Sequence, residues 1–165
     1  MKYLNVSLTG LRGKKHPALY GIFTTHEVKK SRIHLKMLSG DYLTFEKKAR
    51  RSGGSPHCRS CLETPAKNES FTHILTECNA YTDIRERIFP EYYEACRTTK
   101  SKLNFLDICE NDNTLTQFIL DPSSLNLKNR VHMSDEALHT LFKISRDYCF
   151  TINSRRMRKI SGKET

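Results

Sequence analysis

With 165 residues, a formal net charge of +10, 37% apolar side chains and no tryptophan, the chain can build one modest core but gains less from burial per residue than an average domain. No stretch reaches the roughly 20 apolar residues of a membrane-spanning helix, and Met1 and Lys2 lead into Asn5, Ser7, Thr9 and the basic Arg12–Lys15 instead of the apolar run of a secretory signal. A membrane partner is thereby excluded and an intracellular setting, cytoplasm or nucleus, is expected. In that reducing setting the six cysteines read as metal ligands or buried side chains, not as three disulfides.

Residues 1–23 are Gly-punctuated and basic and start as though cut from something longer, so a basic arm with at most one small turn is expected. Thr24 and Glu27 have the spacing of a capping box, and Val28, Leu35, Leu38 and Tyr42 follow at helical intervals, which predicts a basic amphipathic helix region over 24–51 that Gly40 interrupts or ends. Ser52-Gly53-Gly54-Ser55-Pro56 is a hinge before the first cysteine. The segment 52–97 holds a cysteine-rich site and a helix that Asn79 caps, running through Tyr81, Ile84, Ile88 and Phe89, with Pro90 starting a further turn or kinking the path before Tyr92, Tyr93 and Cys96. Thr98–Ser101 is a polar break, and residues 98–165 form a C-terminal helical region. Within it Leu103–Cys109 is a short apolar segment, and Leu115–Leu120 ends at Asp121-Pro122. Ser134 then caps a long helix with Asp135 and Glu136 in its first turn and one stripe of Leu138, Leu141, Phe142, Ser145, Tyr148, Cys149 and Ile152. No alternating period is convincing. The expected fold is mainly α, with 24–160 as one small helical domain.

Cys58, Cys61, His73 and Cys78 carry the chemistry, spaced Cys-x2-Cys-x11-His-x4-Cys. A two-residue gap lets one turn offer two thiolates to one ion, and four ligands of this type within 21 residues predict a tetrahedral zinc. Residues five apart on an α-helix point about 140° away from each other, so His73 is expected inside a short helix and Cys78 just past its end. Leu62–Thr72 would form an extended excursion. His57, adjacent to Cys58, is a weaker rival to His73. Four protein ligands leave no position for a reactive water, which makes the site structural and not catalytic. Cys96, Cys109 and Cys149 lie among apolar neighbours and read as buried small hydrophobes.

Charge is unevenly distributed. Residues 1–60 carry thirteen Lys and Arg against three Asp and Glu, residues 61–125 six against eleven, and residues 126–165 nine against four. Basic ends flanking an acidic middle suggest polyanion contacts through Lys29, Lys30, Arg32, Lys36, Lys47, Lys48, Arg50, Arg51, Arg155, Arg156, Arg158 and Lys159, against the blander reading of a solubilising surface. Tyr42, Phe45, Tyr81, Tyr92 and Tyr93 are candidates for stacking on bases, although Tyr42 and Tyr81 fall on apolar stripes and suit a core better. No Gly-rich phosphate loop or βαβ setting for the CxxC is visible, and Glu110–Asn113, the one acidic cluster, precedes a helix as a turn would. No enzymatic activity and no small-molecule substrate are therefore expected.

The run Glu69-Ser70-Phe71-Thr72-His73-Ile74-Leu75-Thr76-Glu77-Cys78-Asn79-Ala80-Tyr81, with Cys58 and Cys61 before it and Ile84-Arg85 after it, resembles the CCHC zinc-binding segment that follows the polymerase in endonuclease–reverse transcriptase polyproteins of non-LTR retrotransposons. His34–Tyr42, Gln117–Pro122 and Ser145–Cys149 are similar to other parts of such C-terminal regions. The resemblance implies that the four ligands hold zinc, that the partner is RNA template or single-stranded or target DNA, and that the reverse transcriptase polymerase domain is a further partner. Neither catalytic domain of such polyproteins is present, so a fragment or degenerate copy is one expectation. A zinc-stapled protein-interaction module is the other reading the residues leave open.

Overall fold

A computed structural model describes residues 16–61, 64–98, 104–124 and 133–162. Residues 1–15 of the expected arm, Leu62 and Glu63 of the excursion, the break at 99–101 and Leu103 lie outside them. Among the described residues the protein is mainly helical and has no strand, only an isolated antiparallel bridge between His57 and Asn68.

The organising element is the C-terminal helix, Asp135–Ile160, about 39 Å long at 1.5 Å per residue. Ser134 caps it by accepting from the Ala137 amide, and Asp135 and Glu136 complement the partial positive charge of its first turn. Its whole expected stripe is buried, with Leu141, Phe142, Ser145, Tyr148, Cys149 and Ile152 fully enclosed. Helix α1 (Thr25–Leu38) and helix α3 (Thr82–Thr98) pack on either side of it. Ile84, Ile88, Tyr92, Ala95 and Cys96 make the buried face of α3, at steps of four, four, three and one. Pro90 sits inside that helix on the exposed side; the bond that its missing N–H denies to the Glu86 carbonyl falls where water can replace it.

Two short helices, α4 (Phe105–Cys109) and α5 (Asp112–Leu120), complete the core. Asn104 and Asn111 cap them through Leu106 and Thr114 amides, so Glu110–Asn113 is a helix junction. Tyr92 stacks on Phe105 with centroids 5.6 Å apart, and its hydroxyl bonds Ser145 Oγ at 2.9 Å. Cys96 and Cys149 are buried as expected, whereas Cys109 is only partly so, because it ends a five-residue helix at the surface.

Helix α1 departs from its predicted face. Thr24 caps it, and Glu27 returns a bond to the Phe23 amide, but its buried residues are Ser31, His34, Met37 and Leu38. Val28 is 54% exposed, and Tyr42 lies beyond the helix, which stops at Ser39 before Gly40 at φ +77°. The stripe shifts because His34 uses its Nε2 to donate to the Leu120 carbonyl at 2.9 Å, docking α1 on the end of α5 with a polar contact that hydrophobic periodicity does not register. Its Nδ1 finds no partner among the described residues. Burial above all, with the Arg146 cation adding, lowers the His34 pKa from 6.5 to about 4. Between those values the unfolded chain takes up a proton that the fold refuses, so stability falls as pH drops from about 6.5 toward 4, by about 2 kcal/mol between pH 7 and pH 5. Denaturant unfolding of the wild type and His34→Gln at both pH values checks this: the variant is expected to lose about 2 kcal/mol less on acidification. Equal losses would refute it.

Before α1, Pro17–Leu19 form one tight turn whose Ala18 is fully buried against the C-terminal helix, and Arg146 donates to its carbonyl at 3.2 Å. After α1, helix α2 (Phe45–Ser52) opens at Thr44, whose Oγ1 accepts from Lys47, and closes at Gly53, φ +74°. The region 24–51 is thus two helices.

Candidate metal centre and basic surface

The site is assembled from a turn, a short antiparallel pairing and a distorted helical turn. Cys58 donates its amide to the Lys67 carbonyl and Glu69 donates to Pro56, so the segments around 57 and 68 run side by side and the expected extended excursion doubles back. The CxxC turn points Ser60 N–H at Cys58 Sγ, 3.4 Å away. Ser70 Oγ then accepts from the His73 amide and starts the next turn. His73–Glu77 winds as a π-turn, with the Cys78 amide bonded to the His73 carbonyl five residues back at 2.7 Å. That looser winding narrows the angular offset of a regular α-helix and brings residues 73 and 78 closer to one face, with Cys78 just past the turn.

The four ligand atoms, one from each residue, lie within 4.8 Å of one another, and all four residues are buried. Cys58 Sγ and Cys78 Sγ are 3.9 Å apart, and Cys61 Sγ is 3.4 Å from His73 Nε2. A disulfide requires about 2.05 Å. A tetrahedron with bonds of about 2.3 Å to sulfur has edges of about 3.8 Å, so these separations fit one ion between the four groups. The cysteines are free thiols and no disulfide pairs them. The Cys58 thiol is pulled well below its usual range, chiefly because the Cys78 thiol donates to it, while Cys78 is pushed up by holding that proton. Two sulfurs that share one proton are a site where a cation can take the proton's place.

Surrounding groups fix the ligands. With Nε2 facing the sulfurs, His73 turns Nδ1 toward Glu77 Oε2 at 3.7 Å, and Glu77 in turn pairs with Lys67 at 3.3 Å. Arg85 donates to the Cys78 carbonyl at 2.7 Å, Tyr81 to Ser60 Oγ at 2.7 Å, and Tyr148 of the C-terminal helix to the Leu75 carbonyl. Ile74 and Leu75, inside the π-turn, are fully buried. The cluster is therefore continuous with the main core. His57 is exposed and stands outside it.

The twelve cationic candidates separate. Arg156 is no surface contact: it is 6% exposed and forks onto Glu69, itself fully buried, at 2.6 Å and 3.1 Å. It also donates to the Leu43 carbonyl and lies 5.3 Å over Tyr42 and 5.2 Å over Phe45. Glu69 Oε1 further accepts from the Phe45 amide at 2.7 Å. Arg155 pairs with Asp83, Lys30 with Asp147, Arg50 with Glu46, and Lys47 donates to the Gly40 carbonyl. Lys29, Arg32 and Lys36 are exposed on α1, Lys48 and Arg51 on α2, and Arg158 at the end of the C-terminal helix, next to half-buried Lys159. Lys36 and Lys48 border one cavity that Met157 and Ile160 close from the third side, so three basic elements converge there. Of the stacking candidates, Tyr42, Phe45, Tyr81 and Tyr92 are buried, and Tyr93 is 40% exposed.

The Glu69–Arg156 pair escaped sequence reading because their 87-residue separation gives no periodic signal. Among the described residues no helix is long and apolar enough to cross a membrane. No family model matches the chain, and no curated protein or solved structure matches it either.

Proposed function

We propose that the protein is a zinc-stapled, non-catalytic nucleic-acid-binding module, and that it corresponds to the C-terminal tail of a retroelement reverse transcriptase of the kind its cysteine segment resembles. The observation that carries the reading is the joining of two features in one fold: a closed Cys3His ligand set, and basic segments from α1, α2 and the C-terminal helix that the Glu69–Arg156 pair gathers beside it. Three thiolates and one imidazole favour zinc over harder cations, and four protein ligands make its contribution structural. Held in place by that cross-link, exposed Lys29, Arg32, Lys36, Lys48, Arg51 and Arg158 offer phosphate contacts without base preference. RNA template or target DNA is the partner this suits, inside the cell.

Affinity for a single-stranded oligonucleotide is expected to fall linearly in log–log form with salt, with a slope of about −0.7 for each phosphate contacted. Fluorescence anisotropy over a salt series reads it, and an interaction that is absent or insensitive to salt rejects the proposal. A protein partner, such as the polymerase domain, is favoured by an adjoining surface, where Val28 and Leu35 of α1 line an apolar hollow with Leu19 and Ile22 beside Arg32 and Lys36. Substituting Val28→Ser, which removes the apolar contact without adding charge beside Arg32 and Lys36, would weaken that partner and leave oligonucleotide binding intact.

A further inference from the structure

The cavity where the three basic elements meet has a volume of about 380 Å³, at the small end of ligand sites and enough for one compact ring-bearing group. Its walls are apolar and uncovered: Leu43 is 48% exposed and Met157 52% exposed, both bordering the same space as Ile160. Exposed leucine and methionine lining one hollow usually signal something that docks there. The lysines at its rim, Lys36 and Lys48, come from different helices, so a negative group on either side of the occupant meets a cation. Polar groups also border it. Asp41 supplies a carboxylate acceptor, and Asn153, whose Oδ1 accepts from Tyr42 at 2.9 Å, keeps an amide NH2 as donor. Beneath lies Arg156, held by Glu69 and therefore a rigid base to the site.

We propose that this cavity receives one unpaired base of a single-stranded nucleic acid, its faces against Leu43 and Met157 and its flanking phosphates on Lys36 and Lys48. The inference rests on the nucleic-acid reading above and adds strand selectivity to it. A flat ring with apolar faces, polar edges and an anion on each side matches the walls, the Asp41 and Asn153 groups and the rim together. A base in a duplex keeps its faces stacked and cannot enter.

Anisotropy with three probes tests it: a single-stranded oligonucleotide, an abasic strand of the same length, and the duplex, each against wild type, Leu43→Ala, Met157→Ala and Lys36→Glu. The expected result is wild-type binding about tenfold tighter to the single strand than to the abasic strand or duplex, the scale of burying one apolar ring face against aliphatic side chains. Leu43→Ala and Met157→Ala should each remove much of that advantage and leave abasic binding unchanged, while Lys36→Glu weakens all three probes. Both truncated side chains are half exposed, and matched thermal melts establish that the variants fold. Equal wild-type affinity for the abasic and intact strands, or no effect of either truncation, overturns the base pocket and leaves the nucleic-acid reading standing. No binding to any probe overturns both, as would an exclusive preference for an acidic peptide.

Discussion

Replacing Glu69 with alanine is expected to lower the stability of the fold by about 3–5 kcal/mol, about 10 °C in melting midpoint for a chain of this length. The carboxylate is fully buried and accepts from three donor atoms: two guanidinium nitrogens of Arg156 and the amide that starts α2. Its removal leaves a guanidinium, 6% exposed, that among the described residues keeps hydrogen bonds only to Tyr42 and the Leu43 carbonyl. The cost is mainly that of an unpaired buried charge, so removing both partners should cost far less. Glu69→Leu with Arg156→Met is expected to recover most of the loss, because an apolar pair of similar volume needs no compensation. Chemical denaturation of Glu69→Leu, Arg156→Met and the double variant completes a cycle whose coupling energy isolates the pair. A single-variant loss below about 1 kcal/mol would show that water reaches Arg156 in solution, and would restore it to the list of surface cations.

That pair also marks the boundary of what the sequence discloses. Local chemistry was legible: hydroxyls at Thr24 and Ser134 sit three residues before the amides they cap, and the C-terminal stripe is buried as its spacing requires. The ligand quartet was legible for the same reason, since donor type and short spacing are properties of neighbouring residues. What stayed hidden depends on residues distant in sequence. The buried face of α1 follows from where the Leu120 carbonyl lies, 86 residues away, and no hydropathy period encodes a histidine serving a helix end. Tyr42 looked like the next turn of α1, but Gly40 stops that helix and its hydroxyl instead bonds Asn153. Charge counting placed Arg156 in a cationic run correctly and its destination wrongly, because a run of five residues on a helix necessarily points to several sides. The π-turn has no sequence rule at all; it follows from the need to bring His73 and Cys78 to one point while Ile74 and Leu75 reach the core.

The π-turn would give an ion held by the quartet leverage on the whole fold. Such winding has poorer packing than an α-turn and persists only where something outside the backbone holds it. Here two things hold it: burial of Ile74 and Leu75, and convergence of His73 and Cys78 with the CxxC turn. Without an ion, the buried Cys58, Cys61 and Cys78 keep either protons or uncompensated charge, and the turn loses its reason to wind loosely. Purified protein is therefore expected to carry about one zinc per chain, and Cys61→Ser to carry less than about half of that, with the melting midpoint about 10 °C lower, a loss of about 3 kcal/mol. Chelation of the wild type should produce the same midpoint, and restoring zinc should reverse the change in the wild type but not in Cys61→Ser. Because Tyr148 of the C-terminal helix donates to the Leu75 carbonyl, the loss should spread: amide exchange is expected to rise in the middle of that helix as well as over residues 56–81. Cys96→Ala, a buried thiol outside the cluster, should leave metal content at one per chain. Full metal content in Cys61→Ser, or a chelated protein that melts like the untreated one, would remove the ion from the account and leave the four side chains as a polar knot in the core.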